Sequence, residues 1–310
     1  MGLRRWRVLA WGVLAWLAGC GGGGGGGASE DLASALRRDP ALSTFVAVLQ
    51  ASGLEPALAQ AQGVTVFAPT NTAFEAWSAQ SGTSRAELLA DPTRAAAFVR
   101  DHLVDRAMAR AELPTGRAIT TRSGIVFKVE SAAEGLVAVD GQQGRARVLD
   151  ASLPAVQGYV HPVEAVLRPA RHTLLQAVQD EPSTAWLAEA LVVAGLAPVL
   201  EGGERMTLFA PTQEAWQAHL EAIGQTWASL RNQPQRLRGM LAYHVLPGSF
   251  LRAELPVGTP MTMLEGGQVS LDRDGVLTDE CRCPARIVAA DRFATNGVVH
   301  RIDRVMLRNP

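Results

Sequence analysis

Histidine is the residue type that first suggests a chemical role, because four of the six histidines fall at matching places in the chain. His102 and His161 in the first half correspond to His244 and His300 in the second. Zinc takes three or four ligands, whereas each half supplies two histidines and no carboxylate at a helical metal-binding spacing. A neutral imidazole buried against a strand and bonded through one ring nitrogen explains the repetition more simply. We therefore predict structural histidines, with no metal and no other cofactor.

A Cys-Arg-Cys segment, containing Cys281 and Cys283, is the second feature that could do chemistry. In an exported protein these thiols meet an oxidising compartment. With one residue between them the disulfide ring is tight, so the bond would be strained and comparatively easy to reduce. Three roles stay open: a disulfide that clips the loop, a redox-active pair, and two idle thiols. A soft metal would need further ligands, and none lies nearby in the sequence. Of the three roles, we predict the loop disulfide.

Other signatures of catalysis and of nucleic-acid binding are absent from the sequence. No Gly-X-Ser-X-Gly elbow occurs, and no glycine-rich phosphate loop follows a strand. Aromatic residues make up 5% of the chain and the formal net charge is -1, so a basic, aromatic-lined nucleic-acid groove is excluded. Lys128 is the only lysine, a bias that we attribute to codon usage. We predict that the protein is not an enzyme and binds no nucleic acid.

The elements that must position these residues occur twice, because the chain contains an internal duplication. Phe-Ala-Pro-Thr at 67–70 recurs at 209–212, and Ala-Glu-Leu-Pro at 111–114 recurs at 253–256, each 142 positions later. Toward the end of each copy the offset is 139, and His161 and His300 are separated by this distance. An offset that shifts once indicates a duplicated domain with one change of loop length. A chain of 310 residues is long enough for both domains to bury a core.

Helices are predicted in the first part of each copy. In the second copy, apolar residues at helical spacing mark 173–178 and 184–194, and Gly195 is typical of a helix end. A further helix, capped by Thr212 or its neighbours, contains Trp216. Two residue pairs in the first copy have the spacing of a capping box: Thr72 with Glu75, and Ser84 with Glu87.

Strands are predicted in the later part of each copy. Residues 269–271 and 276–278 flank an Asp-Arg-Asp-Gly segment that is typical of a hairpin turn. Residues 287–290 and 298–302 supply two more strands. Helices followed by strands, with little βαβ alternation, predict an α+β fold in two tandem copies.

The first twenty residues are typical of a bacterial export signal. Arg4, Arg5 and Arg7 form a basic start, and residues 8–18 are apolar. At ~1.5 Å per helical residue this run cannot cross ~30 Å of hydrocarbon, so it fits a signal peptide and not a membrane span. The Leu-Ala-Gly-Cys sequence that ends at Cys20 resembles the bacterial lipobox, which implies that this cysteine is lipidated.

Glycines at 21–27 follow immediately and predict a flexible tether. The rest of the chain has no polybasic patch for lipid headgroups, so the lipid on Cys20 is expected to hold the protein at the membrane. Gly21 stands where an aspartate commonly retains lipoproteins in the inner membrane. By resemblance to other lipoproteins, we expect a membrane-anchored protein in the periplasm or at the cell surface, with the outer membrane favoured.

Three blocks of residues resemble the fasciclin domain family, in the right order and twice over. The first block is Thr-Val-Phe-Ala-Pro-Thr-Asn-Thr-Ala-Phe at 65–74 and Thr-Leu-Phe-Ala-Pro-Thr-Gln-Glu-Ala-Trp at 207–216. The central Tyr-His motif stands at 243–244, and the last block, beginning Asn-Gly-Val-Val-His, stands at 296–307. The resemblance covers roughly 33–310. It implies a wedge-like β-sandwich with helices packed alongside.

The first copy departs from the family pattern. Asp101 replaces the tyrosine before His102, and the last block at 157–162 is a weaker match. The resemblance therefore implies that the second copy is the better candidate for a partner site. The candidate partner-binding residues in that copy are Tyr243, His244, Asn296, Gly297 and His300.

The resemblance implies a role in adhesion or extracellular recognition, since the family offers no general catalytic site. The expected partner is a protein or a glycan, with the membrane engaged through Cys20. Two alternatives stay open: a structural spacer or scaffold of the cell envelope, and a redox factor that uses Cys281 and Cys283. The expected organisation is a signal peptide with lipobox at 1–20, a glycine-rich linker at 21–30, and fasciclin domains at 31–169 and 171–310.

Overall fold

The computed structural model describes residues 30–308. The predicted signal peptide, its lipidated Cys20 and the glycines at 21–27 lie outside these residues. Within the described part, no helix combines the length and the apolar character needed to cross a membrane.

Six helices form one side of the first domain. Leu32 and Leu36 of the first helix and Phe45 of the second are buried in a shared core with the first strand. The fourth helix is capped by Thr70, whose hydroxyl accepts the N–H of Ala73. The helices are α1 (Leu32–Arg38), α2 (Ser43–Ala51), α3 (Glu55–Gln60), α4 (Asn71–Ser81), α5 (Arg85–Ala90) and α6 (Pro92–Arg100).

Eight strands in two four-stranded sheets complete the first domain. The orders are β2-β1-β8-β7 and β3-β4-β5-β6. β1 and β8 run parallel, with Val64 opposite Gly158, and every residue of β1 is buried, as expected for a strand covered on both faces. The strands are β1 (Val64–Pro69), β2 (Leu103–Val104), β3 (Ala118–Thr120), β4 (Val126–Ala132), β5 (Gly135–Val139), β6 (Arg145–Arg147), β7 (Leu153–Ala155) and β8 (Gly158–Val163).

The second domain repeats the helical layer. Thr212 caps α10 through the N–H of Ala215, as its counterpart does in the first domain. Trp216 on this helix is fully buried in the core of the second domain. The helices are α7 (Leu174–Gln179), α8 (Ala185–Val193), α9 (Ala197–Glu201), α10 (Gln213–Ala222), α11 (Trp227–Arg231) and α12 (Pro234–Ala242).

The strands of the second domain form a single seven-stranded sheet, in the order β10-β9-β15-β14-β13-β12-β11. One long strand, β14, pairs with β13 at its start and with β15 along its length, and its register with β15 shifts twice. Asp291 lies in this irregular stretch with φ of 64°. The strands are β9 (Met206–Pro211), β10 (Val245–Pro247), β11 (Met261–Thr262), β12 (Gln268–Leu271), β13 (Val276–Thr278), β14 (Pro284–Ala294) and β15 (Gly297–Ile302).

The α+β fold in two tandem domains is confirmed. The Asp-Gly hairpin joins β12 to β13, with Gly275 at φ of 78°, and the capping box of Ser84 with Glu87 forms as predicted. The capping box predicted for Thr72 is wrong. The helix begins two residues earlier, because the Thr70 hydroxyl caps it first.

Candidate functional site

His102 and His244 occupy equivalent places inside the two domains. Each sits just after the last helix of its domain, donates its Nδ1–H to a helix carbonyl 2.8 Å away, and is fully buried. The Nε2 atom accepts a backbone N–H from the segment after the last strand: Leu167 at 3.2 Å and Met306 at 2.9 Å. Burial lowers the pKa of each imidazole to about 4, so both are neutral. Each ring therefore ties the helical layer to the end of its domain.

His161 and His300 form the second equivalent pair. Their Nε2–H groups donate to the carbonyls of Met108 and Phe250, at 2.9 and 3.0 Å. The Nδ1 of His161 pairs with the Ser152 hydroxyl, and the Nδ1 of His300 accepts a backbone N–H. The prediction of buried, neutral histidines is confirmed. Both ring nitrogens are bonded, where one was expected.

Tyr243 is also an interior residue. Its hydroxyl donates to the carbonyl of Gln268 at 2.7 Å and accepts the N–H of Glu280 at 3.1 Å. Burial, together with nearby acidic groups, raises the pKa of the phenol to about 12, so it stays neutral. The ring lies so close to Gly267 that a Cβ there would come within 2.5 Å of it. Tyr243 therefore joins α12 to the β12 strand and to the loop that precedes the cysteines.

Asn296 and Gly297 shape the turn between β14 and β15. The side-chain oxygen of Asn296 accepts the N–H of Leu174 at 2.9 Å, and its amide donates to the carbonyls of Leu200 and Gly202. A Cβ on Gly297 would lie 1.9 Å from the carbonyl oxygen of Met206, so only glycine fits beside β9. Gly158 meets the same restriction in the first domain.

The five residues expected to contact a partner therefore lie in the interior. Four of them have side chains that hydrogen-bond within the protein, Gly297 has no side chain, and all five are buried. The family blocks that they belong to preserve the fold. Partner contact through these residues stays a prediction, and the structure gives each of them a role in the framework. The buried set is Tyr243, His244, Asn296, Gly297 and His300.

Cys281 and Cys283 are both free thiols in this structure, so the predicted disulfide is not formed there. Arg282 between them adopts φ of 57°, and the carboxylate of Asp279 accepts the N–H of Cys283 at 2.8 Å. The Cys283 thiol points to the carbonyl of Cys281, 3.6 Å away. Burial and the Asp279 carboxylate raise the pKa of the Cys281 thiol, which disfavours the reactive thiolate. Disulfide formation under oxidising conditions stays a prediction.

The junction between the domains holds a buried ion pair. The ammonium of Lys128 on β4 lies 2.7 Å from a carboxylate oxygen of Asp291 on β14, with side chains only 8% and 7% exposed. The other oxygen of Asp291 accepts the N–H of Arg252 at 2.7 Å. Burial lowers the pKa of Lys128, but hydrogen bonds to Asp291 and Glu130 outweigh it and raise the pKa overall. Both charges are therefore held across the junction.

A hydrogen bond to a glutamate side chain and a small apolar cluster also lie at the junction. Glu254 accepts the N–H of Ala118 at the edge of β3, 2.9 Å away. Leu251, Phe293 and Val298 of the second domain form a small cluster, against which Val126 and Ala170 pack. The junction thus combines charge, hydrogen bonds and apolar contact, and it orients the two domains relative to each other.

A cleft of about 300 Å³ lies beside the junction. His172 in its wall pairs with Asp180 at 2.6 Å, and Arg292 pairs with Glu181 at 3.2 Å. The guanidinium of Arg171 has no ion-pair partner among residues 30–308. The cleft can therefore offer a free cation to an anionic group. The polar residues that line it are Gln142, Gln143, Arg171, His172 and Arg292.

Sequence reasoning missed the junction, although a signal was present. Both members of the ion pair stand where the two copies differ in residue type, with Ser270 opposite Lys128 and Ser152 opposite Asp291. From the sequence alone, codon usage accounts for a single lysine, and this lysine stands where the repeat changes. Its burial against an aspartate shows a specific structural role instead.

Within residues 30–308, no group of three or more histidine, cysteine, aspartate or glutamate side chains is arranged to hold a metal ion.

Comparison with known proteins begins with a family match. The model of the Fasciclin domain family matches this chain twice, over residues 40–169 and 182–308. The transforming growth factor-beta-induced protein ig-h3 of Sus scrofa is 28% identical over 256 residues, which cover 82% of this chain and 36% of that protein. Human periostin is 23% identical over 274 residues, covering 85% of this chain and 30% of periostin. The chain thus spans about a third of the length of these relatives.

Two further similarities come from a bacterium and from a solved structure. The uncharacterized protein sll1735 of Synechocystis is 34% identical over 132 residues, which cover 42% of this chain and 93% of that protein. The solved pair of FAS1 domains from the insect cell adhesion molecule Fasciclin I covers 86% of this chain and 97% of its own, with 17% identity and a TM-score of 0.45.

Proposed function

This chain belongs to the fasciclin domain family, and from that premise we propose that it is an exported, lipid-anchored adhesion protein that recognises a protein or glycan partner. The family resemblance in the sequence implies adhesion or extracellular recognition, and both copies of the domain match the family model. The chain itself supplies two domains and a sequence that resembles an export signal with a lipobox at Cys20.

The observation that carries this proposal is the domain junction. A flexible pair of domains loses orientational freedom when both bind one partner, and that loss weakens the complex. The buried contact of Lys128 with Asp291 removes this freedom before binding. A surface that spans both domains is therefore pre-organised for recognition.

The cleft beside the junction is the proposed contact region. It combines the amide groups of Gln142 and Gln143 with the guanidinium of Arg171, which has no ion-pair partner in the described part of the chain. Amides and a guanidinium can bind hydroxyl and carboxylate groups, which occur on acidic glycans and on acidic protein surfaces. Residues from both sides of the junction line this cleft, so it exists only when the domains are docked.

The anchor and the surface location are tested by protease shaving of intact cells. We compare the wild type with Cys20→Ala and blot for the two-domain fragment. A periplasmic protein serves as the control for cell integrity. The proposal expects cleavage of the wild type and release or mislocalisation of the variant. Protection of both the wild type and the periplasmic control would exclude adhesion at the cell surface.

Partner recognition is tested with the Arg171→Ala variant on cells that display equal amounts of protein. Saturable adhesion to immobilised glycans or proteins that weakens in this variant supports the junction cleft. Arg273→Ala, an exposed arginine in the hairpin turn of the second domain, is the matched control. Equal adhesion by both variants and the wild type contradicts the proposal that the junction cleft is the contact region. Adhesion without saturation also contradicts it and favours the structural spacer.

A further inference from the structure

A groove in the second domain lies between α10 and the segment 303–307 that follows β15, and we call it the α10 groove. Its volume is about 380 Å³, which is within the range of sites for small molecules. Its wall is mainly apolar, and Ile223 at the lip is 38% exposed. The apolar residues that line it include Ala215, Ala218, Ala222, Ile223, Val305 and Leu307.

The equivalent place in the first domain is about half as large. There the groove between α4 and residues 164–168 has a volume of about 200 Å³. Trp77 occupies the position that corresponds to His219, and its ring centroid lies 5.2 Å from those of Phe74 and Phe98. In the second domain a histidine replaces this tryptophan and Ala222 stands in place of Gln80. The exchange to smaller side chains opens the α10 groove in one copy of a duplicated fold.

Two nitrogen-bearing side chains line the α10 groove without a partner among the described residues. The Nε2 atom of His219 is shielded from solvent and makes no hydrogen bond. The guanidinium of Arg304 forms no ion pair within residues 30–308, and the first domain has Ala165 at this position. The copy with the open groove is therefore also the copy with an unpaired cation at its wall.

The charge around the α10 groove favours an anion. Burial, followed by the positive charges of Arg236 and Arg304, lowers the pKa of His219. Asp303 is the acidic residue in the wall; one of its carboxylate oxygens accepts the N–H of Arg286 at 2.7 Å, and the two arginines outnumber it. An occupant that complements these groups has an apolar body for the alanine wall and one negative charge for Arg304.

We propose that the α10 groove binds a small amphiphilic carboxylate, of the size and character of octanoate. The hydrocarbon chain lies along the alanine face of α10, and the carboxylate lies at Arg304, with the His219 ring beside it. This site shares no lining residue with the cleft at the domain junction. It goes beyond the adhesion proposal, and either proposal can fail while the other stands.

The test is isothermal titration of the full chain carrying Cys20→Ala, with octanoate as the probe and octanol as its uncharged counterpart. We expect saturable binding of octanoate with one site per chain, and binding of octanol at least tenfold weaker. Arg304→Ala introduces the residue of the first domain. It should weaken octanoate binding tenfold or more and leave octanol binding unchanged. Arg273→Ala, an exposed arginine elsewhere in the same domain, should bind octanoate like the parent protein.

His219→Trp refills the α10 groove with the side chain of the first domain and should remove binding of both probes. Circular dichroism shows whether this variant is folded. If it is not, the Arg304→Ala variant, in which an exposed residue is changed, is used to test the proposal. Absence of saturable octanoate binding overturns the proposal. Equal binding by the parent, Arg304→Ala and a folded His219→Trp also overturns it. Equal affinity for octanoate and octanol overturns the assignment of a carboxylate.

Discussion

Replacing Lys128 by methionine should destabilise the protein far more than loss of an ordinary surface charge. The substitution keeps most of the side-chain volume and removes the cation that faces Asp291 across the junction. The side chain of Asp291 is 7% exposed, and its carboxylate keeps one hydrogen bond, from the N–H of Arg252. Breaking a buried ion pair at one partner costs about 3–5 kcal/mol. Because this hydrogen bond remains, we expect Lys128→Met to lower the free energy of unfolding by about 3 kcal/mol, the lower end of that range.

The assay is urea unfolding followed by circular dichroism, with hydrogen exchange to locate the change. We expect Lys128→Met to lower the unfolding midpoint and to increase exchange at β4 and around Asp291. The double variant Lys128→Met/Asp291→Asn removes the uncompensated charge while the asparagine oxygen can still accept the Arg252 N–H. It should recover part of the loss, since the two effects are coupled.

Arg147→Met is the matched control. Arg147 and Glu164 are 2.9 Å apart, but their side chains are 44% and 48% exposed, so this pair should contribute ~1 kcal/mol or less. The reasoning is refuted if Lys128→Met unfolds at the same urea concentration as Arg147→Met. It is also refuted if the double variant is as unstable as the sum of the two single variants.

Three further predictions concern the framework residues. The pKa of His244 in the folded protein is about 4, below its ordinary value of 6.5, so its contribution to stability is complete above pH 6.5 and falls as the pH drops toward 4. Between pH 7 and pH 5, the free energy of unfolding measured in urea should therefore decrease by ~2 kcal/mol because of this residue. An unchanged pH dependence in His244→Gln would contradict this. Gly297→Ala should prevent folding or lower the free energy of unfolding by about 3 kcal/mol or more, because its Cβ would lie 1.9 Å from a strand carbonyl. Gly203 has open space around it, so the control Gly203→Ala should fold normally. Equal thermal unfolding of the two variants would refute the steric argument. Tyr243→Phe removes two hydrogen bonds and should lower the unfolding free energy by ~1–3 kcal/mol, while Tyr159→Phe should have no effect in the same denaturation assay.

The fold was predictable because its signals are local and occur twice. Periodic apolar residues and the Asp-Gly turn each act over a few residues, so both copies predicted helices followed by strands. The start of α4 was placed two residues late, because two threonines compete for one helix N-terminus and only the geometry of Thr70 decides between them. The length of β14 was underestimated for a related reason, since irregular pairing has no simple sequence signature.

The site was less predictable, because the sequence does not show which way a motif residue points. Tyr243 and His244 belong to a family motif, and a motif can mark either recognition or framework. The structure places both in the interior, where hydrogen bonds to distant segments use their polar atoms. The Lys128–Asp291 pair joins residues 163 positions apart, and no local pattern connects them. Contacts at such separation depend on how the two domains dock.

The most direct test of adhesion is attachment of cells that display the wild-type protein to immobilised proteins and glycans, with released Cys20→Ala protein as a soluble competitor. The proposal predicts attachment that rises with the amount of displayed protein, saturates, and falls as the competitor is added. Attachment that neither saturates nor responds to the competitor would contradict the central claim and leave the tandem domains as a structural spacer of the cell envelope.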